Sequence, residues 1–293
     1  MTKRQRKVPK PVTVLQLWRQ AQQKKFTAAT TPSLALLPSN SSSNTNNSSN
    51  TNNNNNNNND WLVLRTGVYE LSGEAGSGKT QLALSLCKRT ALDGRHPNTA
   101  GPVAVYLRLG GGLPKALQRL QQMAQTNKNG QQQQPWLFRI LTRAVRNRDD
   151  WTEFLAEADA FFTKHRETLR LVVVDALADL VRDDFGLATN FDRTTWLLAW
   201  VQRCKVLADR YSLTWLLLNP QATTVSATGV WENKPALGLA WAHAVQASWI
   251  CHRGTPRRLT LHKSNRYGVR DKEAFFQIEA AGVTTVKKVD DDE

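Results

Sequence analysis

Short apolar runs alternate with segments whose apolar residues recur every three or four positions, from residue 68 to about residue 218. The runs Val68–Leu71, Val103–Leu109, Leu171–Asp175 and Leu213–Leu218 are dense in Val and Leu, the pattern of strands buried on both faces. Between them, three sets share one helical face: Leu117, Leu120 and Met123; Phe154, Leu155, Ala158 and Phe161; Leu197, Val201, Cys204 and Leu207. Such alternation predicts an α/β fold with a mostly parallel sheet and helices on both faces. After Pro235 the runs shorten to Ala247–His252, Arg257–His262 and Phe275–Glu279, which predicts a short antiparallel C-terminal extension.

Other stretches carry too few apolar residues to fold. Residues 40–59 are almost entirely Asn and Ser, and Gln131–Gln134 reads as an exposed loop. The expected organisation is a basic tail at 1–11, a linker with a partner-docking segment at 12–38, an Asn/Ser insertion at 39–60, a core at 61–284 and an acidic tail at 285–293. The docking candidate is Val12–Leu17, preferred over the Phe26-Thr27-Ala28-Ala29 pattern, which lies several residues too late.

The chain has 293 residues, 40% of them hydrophobic, and a net charge of +15. About half of that excess lies before residue 60, in Lys3, Arg4, Arg6, Lys7, Lys10, Arg19, Lys24 and Lys25, with no acid among them. Such a tail suits nucleic acid or an import receptor, and the expected location is the nucleus, with mitochondrion or cytoplasm as alternatives. No apolar run is long enough to span a membrane, so no membrane partner is expected. Cys87, Cys204 and Cys251 have neither metal spacing nor an even count, which points to free thiols in a reducing compartment.

The chemistry centres on Gly73-Glu74-Ala75-Gly76-Ser77-Gly78-Lys79-Thr80, which spells G-x-x-x-x-G-K-[ST] between a strand and the helix-like stretch Gln81–Ala91. Glycines let successive N–H groups turn onto phosphate oxygens, the lysine reaches the β- and γ-phosphates, and the threonine hydroxyl is a Mg²⁺ ligand. Asp175, ending the apolar strand Leu171–Asp175, is the second candidate for Mg²⁺, held through water. Thr80 and Asp175 are thus the metal residues, and all nine positions together imply binding of ATP or GTP.

Taken in order, the loop, Leu171–Asp175 and Asn219-Pro220-Gln221 resemble the RecA-type recombinase core, a RecA-like P-loop NTPase fold. Trp231-Glu232, the stretch Pro235–Ala242 and the ending Phe276–Val283 resemble the eukaryotic DNA-repair recombinase paralogues. Thr13–Leu17, Val105-Tyr106-Leu107 with Leu113-Pro114, and Arg182–Phe185 are most similar to the X-ray-repair cross-complementing type. The resemblance spans roughly residues 12–283 and leaves no room for the family's N-terminal helical domain. It implies ATP with Mg²⁺, single-stranded or branched DNA, and hetero-oligomers with other paralogues or with the main recombinase.

Three departures from that pattern matter. Gly110 stands where the family has the glutamate that activates water, so no catalytic residue is assigned and hydrolysis is expected to be slow or absent, with Glu74 a poor substitute. The family's Asn-Gln sensor is interrupted, leaving Asn219 and Gln221, and a proline that caps a neighbour's nucleotide is replaced by Asn265. By the same resemblance, Ala222–Lys234 is a disordered DNA-facing loop. DNA contacts are expected from Lys234 and from the basic cluster Arg253, Arg257, Arg258, Lys263 and Arg266, with Arg270 and Lys272 beside it. The alternatives are an active P-loop ATPase or kinase of another class, and a scaffold subunit that no longer uses nucleotide.

Overall fold

The computed structural model describes residues 34–38, 62–93, 101–125, 135–185, 190–225 and 231–287. A short pair, β1 (Leu34–Ala35) and β2 (Val63–Leu64), precedes β3 (Gly67–Gly73) and α1 (Lys79–Leu92). Next come β4 (Ala104–Leu109), α2 (Leu113–Gln125), a 3₁₀ turn at Pro135–Arg139, β5 (Ile140–Val145) and α3 (Arg148–Lys164). The second half contains β6 (Leu171–Asp175), α4 (Leu177–Phe185), α5 (Asn190–Tyr211), β7 (Thr214–Val225), β8 (Trp231–Pro235) and α6 (Gly238–Ala244). It ends with β9 (Ala247–His252), β10 (Arg257–Ser264), β11 (Glu273–Glu279) and β12 (Gly282–Val286).

The main sheet runs β12-β11-β10-β9-β3-β7-β6-β4-β5, with β8 paired to β7. Pairing is parallel from β9 through β3 to β5 and antiparallel from β9 to β12. Every residue of β3 and β6 is buried, as expected where helices cover both faces. On one face α1 and α2 pack through Leu82, Leu86, Leu120 and Met123 onto Leu71, Tyr106, Val173 and Leu218. The other face carries α3, α4, α5 and α6, whose Phe154, Phe162, Leu180, Val201 and Trp241 meet Val68, Val105, Val172 and Leu217. Parity along each strand therefore decides which layer a side chain enters.

Two sequence expectations need correction. Ala247–His252 is only half in the antiparallel part: β9 pairs antiparallel with β10 on one side but parallel with β3 on the other, Tyr69 opposite Ala247. Helix α6 returns the chain before β9, and that crossover lets β9 run in the direction of β3. Nor is Ala222–Lys234 simply an unstructured loop. Its described parts form an antiparallel strand pair, Ala222 opposite Lys234 and Val225 opposite Trp231.

The edge strand β5 and the last strand β12 escaped the apolar pattern, because most positions of each are only partly buried or exposed. Leu34, Leu36 and Leu37, at the end of the expected linker, are buried in the core, and Leu34 pairs with Leu64. The Asn/Ser insertion therefore connects two paired strands. The basic tail, both docking candidates, the whole of the insertion and Gln131–Gln134 lie outside the described residues. All three cysteines are buried free thiols, with Cys87 and Cys251 pushed up to about 12 by burial. Among the described residues no helix is long and apolar enough to cross a membrane.

Candidate functional site

Strand β3 delivers Gly73 to a position only glycine tolerates. Its φ is +151°, and a Cβ there would lie 2.4 Å from the Cys251 carbonyl oxygen and 2.7 Å from Ser77 Oγ. The loop closes by Ser77 N–H donating to Glu74 O at 3.2 Å, and Gly78, at φ +104°, opens α1 two residues before the predicted helix start. A Cβ on Gly78 would lie 3.1 Å from Arg257 Cδ and 3.2 Å from Ile278 Cδ1, so β10 and β11 close over this end of the loop.

Lys79 folds back along the loop, its Nζ donating to the carbonyls of Gly73 at 2.7 Å and Glu74 at 2.8 Å. Burial lowers its pKa from the ordinary lysine value, opposed by the nearby Asp175 and Glu74. Ser77 Oγ is buried without a hydrogen-bond partner, a donor beside the first turn of a fourteen-residue helix. Lys79 opens on a cleft of about 680 Å³ whose walls also include Thr80, Gln81, Arg119, Arg257 and Ile278. The volume falls within the usual range for small-molecule sites, about 300–1,000 Å³. Arg119 is fixed there by donating to Gln81 Oε1 at 2.6 Å, to Ala280 O at 3.1 Å and to Glu279 O. A positively charged cradle with orphan donors fits a nucleotide polyphosphate.

Magnesium fits less well. Thr80 Oγ1 does reach Asp175, donating to Oδ2 at 2.8 Å, but that oxygen also accepts from the Tyr106 hydroxyl at 2.5 Å. Burial, and then the charge of Asp175, push the Tyr106 pKa up, so the hydroxyl keeps its proton and remains a donor. The other carboxylate oxygen accepts from Arg108 NH1 at 2.8 Å, within a salt bridge. Mg²⁺ requires near-octahedral oxygen ligation at about 2.0–2.1 Å, directly or through ordered waters. As arranged, with Oδ1 paired to a guanidinium and Oδ2 accepting twice, this set does not fit a resident Mg²⁺.

The remaining expected residues scatter. Gly110, at φ +67°, turns the chain after β4, with its N–H on Val145 O at 2.9 Å. Asn219 is not brought to the loop: its Nδ2 donates to the buried Glu70 Oε1 at 2.7 Å, alongside Trp241 Nε1 at 2.8 Å. Strand parity accounts for this, since Asn219 precedes Pro220, the residue opposite Gly73, and alternates to the face that carries Glu70. Burial raises the Glu70 pKa above the usual carboxylate value. Asn265 lines a separate cavity of about 310 Å³ with Tyr69, Trp249 and Arg266.

The basic cluster divides as well. Arg257 lines the phosphate cleft and Arg253 packs over Gly76, where a Cβ would lie 3.6 Å from its Nε. Arg258, the next residue along β10, is 3.7 Å from Glu273, and Arg266 lies 5.3 Å from the Tyr267 ring centre. Lys263 Nζ donates to Ala242 O at 2.5 Å and Val245 O at 3.0 Å, capping the end of α6. Lys234 lies on β8, its side chain outside the described set, and Arg270 and Lys272 flank the turn before β11. Lys263→Ala is therefore expected to lower stability by about 1 kcal/mol in urea denaturation while leaving the salt dependence of any DNA binding unchanged. A shallower salt slope with unchanged stability would show a phosphate contact instead.

Sequence reasoning missed Tyr106, Arg108 and Arg119. A period-two signal existed for the first two, since Tyr106 and Arg108 share a face of β4, but only the register pairs Arg108 with Asp175.

A family model described as Rad51 matches residues 63–286. The chain is 28% identical over 213 residues to DNA repair protein XRCC3 from Bos taurus, covering 68% of this chain and 61% of that protein. It is likewise 28% identical to DNA repair protein RAD51 homolog B from Zea mays over 239 residues, 76% of this chain and 65% of the relative. A third relative, Meiotic recombination protein DMC1 homolog from Glycine max, is 28% identical over 227 residues, 76% of this chain and 63% of its own length. The chain thus spans less than two thirds of the length of these relatives.

Proposed function

The chain belongs to the Rad51 family, and from that premise we propose that it is an ATP-binding recombinase paralogue acting in homologous-recombination DNA repair. The observation that carries the nucleotide part is the loop itself. Lys79 is held by two of the loop's own carbonyls at the mouth of a cleft lined by Arg119 and Arg257, with Ser77 Oγ unpartnered beside it. The repair assignment draws on the relatives, two of them described as DNA repair proteins and one as a meiotic recombination protein.

The paralogue works in a hetero-oligomer with related chains, on single-stranded or branched DNA, in the nucleus. The antiparallel pair β7–β8 and the exposed Arg258 and Arg266 are the DNA-facing elements of this proposal. Lys263 is withdrawn from that role by its two carbonyl partners. Hydrolysis is weak, because Gly110 offers no carboxylate for the attacking water, and general-base help of about 10²–10⁴-fold is lost with it.

Affinity purification of the tagged full chain from its source cells tests the assignment. Other Rad51-family chains are expected to co-purify, and their consistent absence argues for a protein that acts alone. Single-turnover hydrolysis by the purified chain is expected to be slow with or without DNA. Brisk DNA-stimulated hydrolysis would place a general base elsewhere in the cleft.

A further inference from the structure

Arg108 is pinned on three sides. Its NH1 donates to Asp175 Oδ1 at 2.8 Å, its Nε donates to Gly111 O at 2.7 Å, and its NH2 lies 3.6 Å from Asp179. The side chain is 22% exposed and the Asp175 side chain only 3%, so this is an enclosed ion pair rather than a surface contact. It is also built into the sheet, because β4 and β6 place Arg108 directly opposite Asp175. The other carboxylate oxygen is spoken for by Tyr106 and Thr80.

A divalent cation entering beside Thr80 would meet a carboxylate whose charge is already neutralised, with a fixed guanidinium next to it. Removing Arg108 from Asp175 to make room would strand a mostly buried charge. The cleft does not lack positive charge without a metal, since Lys79, Arg119 and Arg257 all line it. Arginine pairs with phosphate through a planar fork of donors and stays charged at every physiological pH.

We propose that this loop takes its nucleoside triphosphate without a divalent cation. Arg108 occupies the carboxylate that would otherwise hold the metal's shell, and Lys79 and Arg257 neutralise the phosphates. The inference rests on the nucleotide reading above and concerns which cations serve the site.

The test is equilibrium titration of the full chain with a fluorescent ATP analogue, in excess EDTA and across a Mg²⁺ series, with thermal melting on the same samples. The parent is expected to bind with affinities that agree within about threefold across the series, and the analogue to raise its melting temperature equally with and without Mg²⁺. Arg108→Gln, which frees Asp175, is expected to bind at least about tenfold more tightly in Mg²⁺ than in EDTA, while Arg108→Lys keeps the parent's indifference. A parent that binds only with Mg²⁺ overturns the proposal and leaves the nucleotide site standing. A parent that binds in neither condition overturns both. Indifference in Arg108→Gln as well removes Arg108 from the account. The parent's own Mg²⁺ series decides the main claim even where a variant does not fold.

Discussion

Lys79→Ala is expected to bind ATP at least about a hundredfold more weakly than the parent, equivalent to roughly 3 kcal/mol. Two charge-assisted bonds now hold the ammonium on Gly73 O and Glu74 O. With a nucleotide present, the same group is placed to reach the β- and γ-phosphates. Stability is expected to change little, because burial already opposes the charge at this position and its loss removes that cost along with the bonds. Retention of a radiolabelled nucleotide on a filter, together with a denaturation curve, separates the two effects. Unchanged retention would remove the phosphate-binding role of the loop.

Phe162→Ala is expected to do the reverse, lowering stability by about 4 kcal/mol without altering the affinity of the folded fraction for nucleotide. Phe162 is fully buried and meets Phe154, Phe161, Tyr211 and Trp215 at centroid distances of 5.7 to 6.4 Å, with interplanar angles from 64° to 77°. Edge-to-face packing of this kind adds to the area term. It joins α3 and α5 to β7 in the layer opposite α1 and the phosphate cleft, so the cavity opens away from the loop. Urea denaturation followed by tryptophan fluorescence measures the loss. A change below about 1 kcal/mol would mean that the layer collapses around the missing ring.

Much of this architecture is written locally. The loop is legible because glycine, lysine and threonine must stand at fixed spacing for backbone donors to converge on phosphate, and the structure draws Lys79, Thr80 and Asp175 into one place. The buried strands and the helices α1, α2, α3 and α5 follow from apolar spacing, which burial enforces residue by residue.

What local pattern does not carry is pairing across the sheet. Arg108 reads as an ordinary strand-end cation until register sets it against Asp175. Lys263 reads as one member of a basic cluster until β10 brings it to the end of α6. Asn219 reads as a phosphate sensor until the proline beside it takes the position opposite Gly73. The direction of β9 likewise depends on α6, a seven-residue helix too short to announce itself by periodicity.

Calorimetric titration of the purified chain with ATP, ADP and AMP in turn tests the central claim most directly. On the proposed reading the loop would hold the β-phosphate through Lys79 and the first turn of α1. One site per chain is therefore expected, with ATP and ADP bound at micromolar affinity or better and AMP at least about tenfold more weakly. Equal affinity for all three nucleotides, or no heat from any of them, would contradict a phosphate-binding role for this loop.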